Sequence, residues 1–341
     1  MTTVRDLDDP ILLKAWELFL EKKSAIQISE AIKLELASAG VEFKMTREKS
    51  YDLIREARRR GYLYLSPPPH IALRQRLEAR FGSGIHVVSA VTANHVAAAA
   101  AEVAARLVEE LRRKGAENVH IGLGGGMTTL LVVQHLVAQL RVAERLPTLT
   151  LHALSSGFQV KRPHTAPLSF FGLFDTVPTQ IDYVGLFAPA VVPTEMYAKV
   201  LRYQGVAEAV SVAGEIDIMV TSLGSASHEH GDFHTFMRGS TRGFRSLQRE
   251  GWVGDVQYRP YSPRGPIESD AQIRAVALFE LRELVAHARQ PDKHVVLVAG
   301  PCPTCGNMRS DALRPLLEQP KLKVWTHLVT DVNSARALLP E

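Results

Sequence analysis

The 341-residue chain has only two cysteines, Cys302 and Cys305, both in one Cys-Pro-Thr-Cys. That excludes a disulfide framework and makes a reducing compartment the default. No apolar run reaches the roughly 20 residues of a transmembrane helix, and Asp6, Asp8 and Asp9 do not suit the basic start of a secretory signal. A cytoplasmic location without a membrane partner is therefore expected. Repeats and low-complexity tracts are missing. No Gly-Lys-Thr closes a Walker A loop, and no full dinucleotide fingerprint occurs. No nucleophile-plus-base motif stands out, so neither a catalytic residue nor a cofactor is expected.

Net charge is also small, +4, but it is unevenly spread. Residues 44–60 hold seven basic and three acidic residues. This is the footprint of a small nucleic-acid-binding module on a near-neutral body. Apolar residues make up 46% and charged residues 22%, enough for a sizeable core and two domains.

Helical spacing runs through Leu12, Leu13, Trp16, Phe19 and Leu20, and again through Ile26, Ile28, Ala31, Ile32 and Leu36 after Ser24. Gly40, Val41 and Phe43 interrupt it. Thr46 then caps a third helix, whose apolar face is either Tyr51, Ile54 and Ala57 or Leu53 and Ala57. Arg58, Arg59 and Arg60 charge its C-terminus and Gly61 ends it. Tyr62-Leu63-Tyr64-Leu65 alternates like a short strand, and Pro67-Pro68-Pro69 is a stiff spacer. The expected division is a helical domain with a plausible wing over 1–66, a linker helix over 67–82, and a third part over 83–341.

Beyond Gly82, apolar strands alternate with amphipathic helices. The strands are expected at Ile85–Val91, Val119–Leu123, Thr148–Leu154, Ile181–Phe187, Ile216–Leu223, Val295–Ala299 and Val324–Val329. The helices fall near 94–114, 128–140, 194–203, 270–288, 309–318 and 331–339. Such alternation predicts an α/β fold with a parallel, Rossmann-like sheet covered on both faces. Ligands then bind beyond the carboxyl ends of the strands. Gly122-Leu123-Gly124-Gly125-Gly126-Met127-Thr128-Thr129 falls at one such end. A strand, a glycine loop and a helix N-terminus with two hydroxyls make an anion site, because amides and helix dipole both favour negative charge. The alternative is a tight β–α turn capped by Thr128. Ser155-Ser156-Gly157, Gly224-Ser225 and Gly300-Pro301 fall at other strand ends.

Several stretches resemble the SorC family of sugar-responsive bacterial transcription regulators. Residues 45–61 are similar to its recognition helix, and Leu73–Gly82 to the helix leading into its effector domain. Gly124-Gly125-Gly126-Met127-Thr128-Thr129 resembles its phosphate loop. Gly251-Trp252-Val253-Gly254-Asp255, Tyr261–Gly265 and Leu328–Leu339 resemble its later motifs. The resemblance covers nearly the whole chain. It implies a winged helix-turn-helix joined to an effector domain related to sugar-phosphate isomerases and deaminases. It also implies a phosphorylated sugar as effector, operator DNA as partner, and a dimer or tetramer. Three features depart from the family. The turn over 36–44 is long, Arg309 stands where a lysine is usual, and residues 227–234 are rich in histidine.

On this reading Gly124–Thr129, Ser155, Ser156, Gly157, Gly224, Ser225, Asp255 and Arg309 hold the effector. Thr46, Arg47, Lys49, Ser50, Tyr51 and Arg55 meet DNA, the early-helix residues reaching base edges. The alternatives are an isomerase- or deaminase-like enzyme, with Asp217, Asp232 or Asp255 as a base, and a sensor without DNA binding. His228, His230 and His234 have ligand-like spacing, and their loop and the Cys-x-x-Cys both lie at strand ends. The expectation is nonetheless two reduced thiols and no metal.

Overall fold

The computed structural model describes residues 3–60, 67–157, 162–268 and 272–340, and of Arg58 and Arg59 only the backbone. The expected wing strand lies outside the described residues. The chain forms two compact units, residues 1–65 and 66–341.

The first unit holds α1 (Asp9–Leu20), α2 (Ala25–Ser38) and α3 (Arg47–Arg59). Ser24 opens α2 with a reciprocal cap, accepting from the Gln27 amide while the Gln27 side chain accepts from its own. Leu12, Ala15, Ile28, Ile32, Leu36, Leu53 and Ala57 are buried together, so α3 uses Leu53 and Ala57 inward and leaves Tyr51 exposed. The long turn after α2 is itself packed. Gly40 at φ +66 lets Val41 N–H reach back to the Leu36 carbonyl. Val41, Phe43 and Met45, spaced by two, then lean on the helical core.

The second unit is an α/β sandwich. Its first half contains α4 (Ile71–Phe81), β1 (Ile85–Val88), α5 (Ala93–Arg113), β2 (Asn118–Leu123), α6 (Met127–Leu140), β3 (Thr148–Ala153), α7 (Pro167–Phe170), β4 (Ile181–Val184), β5 (Val191–Pro193), α8 (Thr194–Val200) and α9 (Gln204–Ser211). Its second half contains β6 (Ile218–Ser225), α10 (Asp232–Met237), α11 (Thr241–Arg249), β7 (Gly254–Val256), β8 (Arg259–Ser262), β9 (Gly265–Pro266), β10 (Ile273–Ala275), α12 (Leu281–Ala288), β11 (His294–Ala299), α13 (Ser310–Glu318), β12 (His327–Asp331) and α14 (Val332–Leu338).

Seven strands run parallel in the order β1-β12-β11-β6-β2-β3-β4, and β7, β8 and β9 extend the far end of β6 antiparallel. Both faces are covered. Along β11, Val296 and Val298 join one core while Val295, Leu297 and Ala299 join the other. Leu73 and Leu77 of α4 are buried in the second of these.

The expected strands and helices recur with ends shifted by a few residues. The exception is the helix expected over 270–288. Ile273–Ala275 instead pairs antiparallel with Val191–Pro193, and the helix begins only at Leu281. The pairing partner lies some eighty residues away, so no local pattern announces it.

Candidate functional site

The strand order reverses between β2 and β6, which leaves a crevice at their carboxyl ends. Gly124 continues the strand here, since its N–H donates to the Val220 carbonyl. A Cβ at this point would stand 2.7 Å from Thr221 Oγ1. Gly126, at φ +107, is the N-cap of α6, so the expected capping role of Thr128 is corrected: Thr128 is the second helical residue. The Gly126 amide is not open to a ligand either, because it donates to the Thr165 carbonyl. The amides of Met127, Thr128 and Thr129 head the helix without intrahelical acceptors.

The opposite wall comes from the β7–β8 hairpin. Asp255 on β7 faces Gly224 on β6, where a Cβ would fall 2.2 Å from its carboxylate. Burial, reinforced by the neighbouring Asp232, raises the Asp255 carboxyl to about 7 despite an N–H bond from Tyr258. The turn that follows has both central residues, Gln257 and Tyr258, left-handed at φ +49 and +62. A two-residue hairpin turn of this kind prefers Asn-Gly, so side chains here cost on the order of 1 kcal/mol each. What they deliver is position. The Tyr258 hydroxyl stands 2.6 Å from where a Gly125 Cβ would be. The Gln257 amide is buried with neither its oxygen nor its nitrogen hydrogen-bonded.

Arg309, just before α13, closes the floor. It is 6% exposed, and its guanidinium donates to the Gly300 carbonyl (3.0 Å), the Leu223 carbonyl (2.6 Å) and Thr128 Oγ1 (3.5 Å). Among the described residues no carboxylate lies within ion-pair distance of it, and burial lowers its pKa although Cys302, Tyr261, Asp255 and Asp331 act the other way. A buried cation with no carboxylate in contact is costly.

These groups line a cleft of about 110 Å³. Gly125, Gly126, Met127, Thr128, Gly224, Ser225, Asp255 and Arg309, all expected from the sequence, meet there. Gly124, Thr129, Ser155, Ser156 and Gly157 do not line it. The buried Thr129 hydroxyl turns back toward the Gly125 carbonyl, and Ser156 donates to the Ala188 carbonyl. Ser155 is buried behind Gly125 beside the Tyr258 hydroxyl. Sequence reasoning missed Arg162, Thr165, Thr221, Gln257 and Tyr258, whose only local signal was their place near glycine-rich strand ends.

A larger cleft of about 400 Å³ lies between α10, β8–β10 and α12. Its lining carries Arg259, Arg274 and Arg282 beside Glu268 and Glu280, and Glu280 pairs with Arg259 at 3.0 Å and Arg274 at 2.6 Å.

Two loops meet beside the first cleft. His228 and His230 follow β6, while Cys302 and Cys305 follow β11, and their ligand atoms all lie within 4.8 Å of one another. His230 Nε2 is 3.1 Å from Cys302 Sγ. Burial acts to raise the Cys302 thiol, but bonds from His230 and from the Cys305 and Thr304 amides outweigh it and bring the thiol to about 7. His234 is not part of this group; it packs against Phe244 and Trp252. Asp217 is also elsewhere, paired with Lys293 at 3.0 Å ahead of β6.

In the first unit, Arg47, Tyr51 and Arg55 are exposed at spacings of four along α3, and Arg55 pairs with Asp52 at 2.7 Å. Thr46 caps the helix at the Lys49 amide, and the Lys49 ammonium sits 4.0 Å over the Phe43 ring. Ser50 is corrected as a base-reading candidate: it is fully buried and donates to the Ala25 carbonyl. Arg60 turns inward to Asp9, Glu56 and the Arg5 carbonyl.

A helical unit followed by a doubly covered parallel sheet with a ligand crevice at its switch point defines a class of two-part α/β binding proteins. The family model for a "Putative sugar-binding domain" matches residues 69–340. The chain therefore belongs to that sugar-binding domain family. No curated protein matches the sequence. The fold is similar to the full-length sorbitol operon regulator SorC from Klebsiella pneumoniae, at 16% identity and a TM-score of 0.61 over 98% of this chain and 100% of that one. A "Probable sor Operon Regulator" from Shigella flexneri matches at 17% identity and 0.60, over 79% of this chain and 99% of that one. A DeoR family transcriptional regulator from Listeria monocytogenes matches at 16% and 0.57 over the same shares. The resemblance to SorC-family regulators carried by the motifs is thus borne out. No described helix is long and apolar enough to cross a membrane.

Proposed function

We propose that the protein is a cytoplasmic, DNA-binding transcription regulator, not an enzyme, whose operator affinity is set by a phosphorylated sugar. The observation that carries the effector reading is Arg309, a buried guanidinium without a carboxylate, bonded to Thr128 in the first turn of α6. A phosphate there supplies a contacting negative charge and accepts the amides of Met127 and Thr128. The unpartnered Gln257 amide and the Asp255 carboxyl, whose burial favours the protonated form, offer both donors and acceptors to sugar hydroxyls.

DNA binding rests on the exposed Arg47, Tyr51 and Arg55 stripe of α3, on the early turns that enter the major groove in helix-turn-helix proteins. A dimer or tetramer presents two such helices to half-sites one helical turn, or a multiple of it, apart. Selection from a random DNA library, with and without a panel of sugar phosphates, tests the whole proposal. One sequence is expected to be enriched, with binding that falls steeply with salt. One sugar phosphate is expected to shift DNA affinity by the same factor as DNA shifts its own. No enriched sequence under any condition would remove the regulator. Equal calorimetric affinity for a sugar and its phosphate would remove the phosphate site.

A further inference from the structure

The histidine-rich loop after β6 and the Cys-x-x-Cys loop after β11 are brought together by a feature of topology, since β6 and β11 are neighbours in the sheet. We propose that His228, His230, Cys302 and Cys305 form a zinc site that clamps these two loops over the effector cleft.

Four observations support it. The donor set is two thiolates and two imidazoles, the closed tetrahedral set of structural zinc, and with Zn²⁺ it is electrically neutral. Bond lengths of such a site put ligand atoms roughly 3.3–3.8 Å apart. The four already lie within 4.8 Å, and the His230–Cys302 pair stands at 3.1 Å, so side-chain adjustments of about an ångström complete the geometry. The cysteine loop is shaped around its first sulfur. The Thr304 and Cys305 amides donate to Cys302 Sγ, the Gly306 amide returns to the Cys302 carbonyl at 2.9 Å, and Gly306 is left-handed at φ +75. Finally, the His228 ring donates to the Met308 carbonyl, the outer bond that orients a metal-ligating imidazole. Cys305 is exposed, which gives the ion an entry path.

The position gives the site a purpose. His228, His230, Cys302 and Thr304 line the same cleft as Thr128, Asp255 and Arg309. Clamping the two loops fixes that wall, so zinc occupancy is expected to tighten binding in the cleft. The primary measurement uses the full chain with zinc alone, without DNA or sugar phosphate, so its outcome is independent of the effector reading. Protein reconstituted with Zn²⁺ and desalted is expected to keep about one zinc per chain. Cobalt in its place is expected to give the intense visible bands of a tetrahedral ion with thiolate charge transfer in the near ultraviolet. Cys305→Ser, at an exposed position where folding is not at stake, is expected to weaken zinc at least 100-fold in chelator competition. Cys302→Ser is expected to do the same, with far-ultraviolet circular dichroism checking the fold. Less than a tenth of an ion per chain, a weak octahedral cobalt spectrum, undiminished affinity in Cys305→Ser, or a stable Cys302–Cys305 disulfide after purification without reductant would each overturn the proposal.

Discussion

The two edges of the central sheet are both polar, but they are polar in different ways. At the amino edge, most groups answer one another, although His152 Nδ1 is buried without a partner. Lys293 pairs with Asp217, Asp217 also accepts the His120 amide, His120 bonds His152 at 2.9 Å, and Asn118 meets Thr150. At the carboxyl edge, charge and hydrogen bonding are left over. Arg309 has carbonyls but no carboxylate, Gln257 has no partner, and two side chains sit in left-handed backbone. Both edges lie within the same compact α/β unit. A self-contained polar edge is architecture, whereas an incomplete one is expected where a ligand completes it.

The sharpest test of that contrast is Arg309→Met. Removing the unmatched cation is expected to cut affinity for a sugar phosphate 100-fold or more, about 3 kcal/mol, in titration calorimetry. An unchanged affinity would place the anion elsewhere.

Stability against pH separates the two edges next. Asp255 has a folded pKa raised to about 7, so the folded state holds a proton that the unfolded state releases near 4. Its contribution is present below about 4 and is lost as pH rises to about 7, on the order of 4 kcal/mol. Asp255→Asn is expected to abolish that decline in denaturant titrations. At the amino side the sign is reversed. Burial, aided by His120 for His152 and by His294 for His327, lowers both rings to about 4. The unfolded chain takes up protons first, so stability is lost as pH falls from about 6.5 toward 4, on the order of 2 kcal/mol per ring. His152→Gln is expected to flatten that acid limb, and a limb that stays equally steep would deny the ring its role.

The smallest expected effect is at the hairpin turn. Gln257→Gly relieves a left-handed side chain and a buried unpartnered amide, and is expected to stabilise the ligand-free protein by about 1 kcal/mol while weakening effector binding. Weakened stability would mean the turn is not strained.

Much of this was legible in the residues. Alternating apolar runs announced the sheet, and Gly124–Thr129 announced a glycine loop at a strand end. Thr46 and Ser24 announced two helix starts, which the caps at Lys49 and Gln27 match. Other features were not legible. Ser50 looked like a base-reading hydroxyl because a sequence does not show which side of α3 meets α2. Gln257 and Tyr258 carried no signal, because a positive φ on a non-glycine residue leaves no local mark.

By itself the sequence determined periodicity, caps, glycine turns and local charge, because these depend on neighbours within a few residues. Tertiary structure alone decided which strand ends became neighbours. Seating β2 beside β6 and β6 beside β11 joined Thr128 to Arg309 across 181 positions and His230 to Cys302 across 72. Pairing between distant strands is set by burial of both sheet faces at once, a condition that no short window of sequence contains.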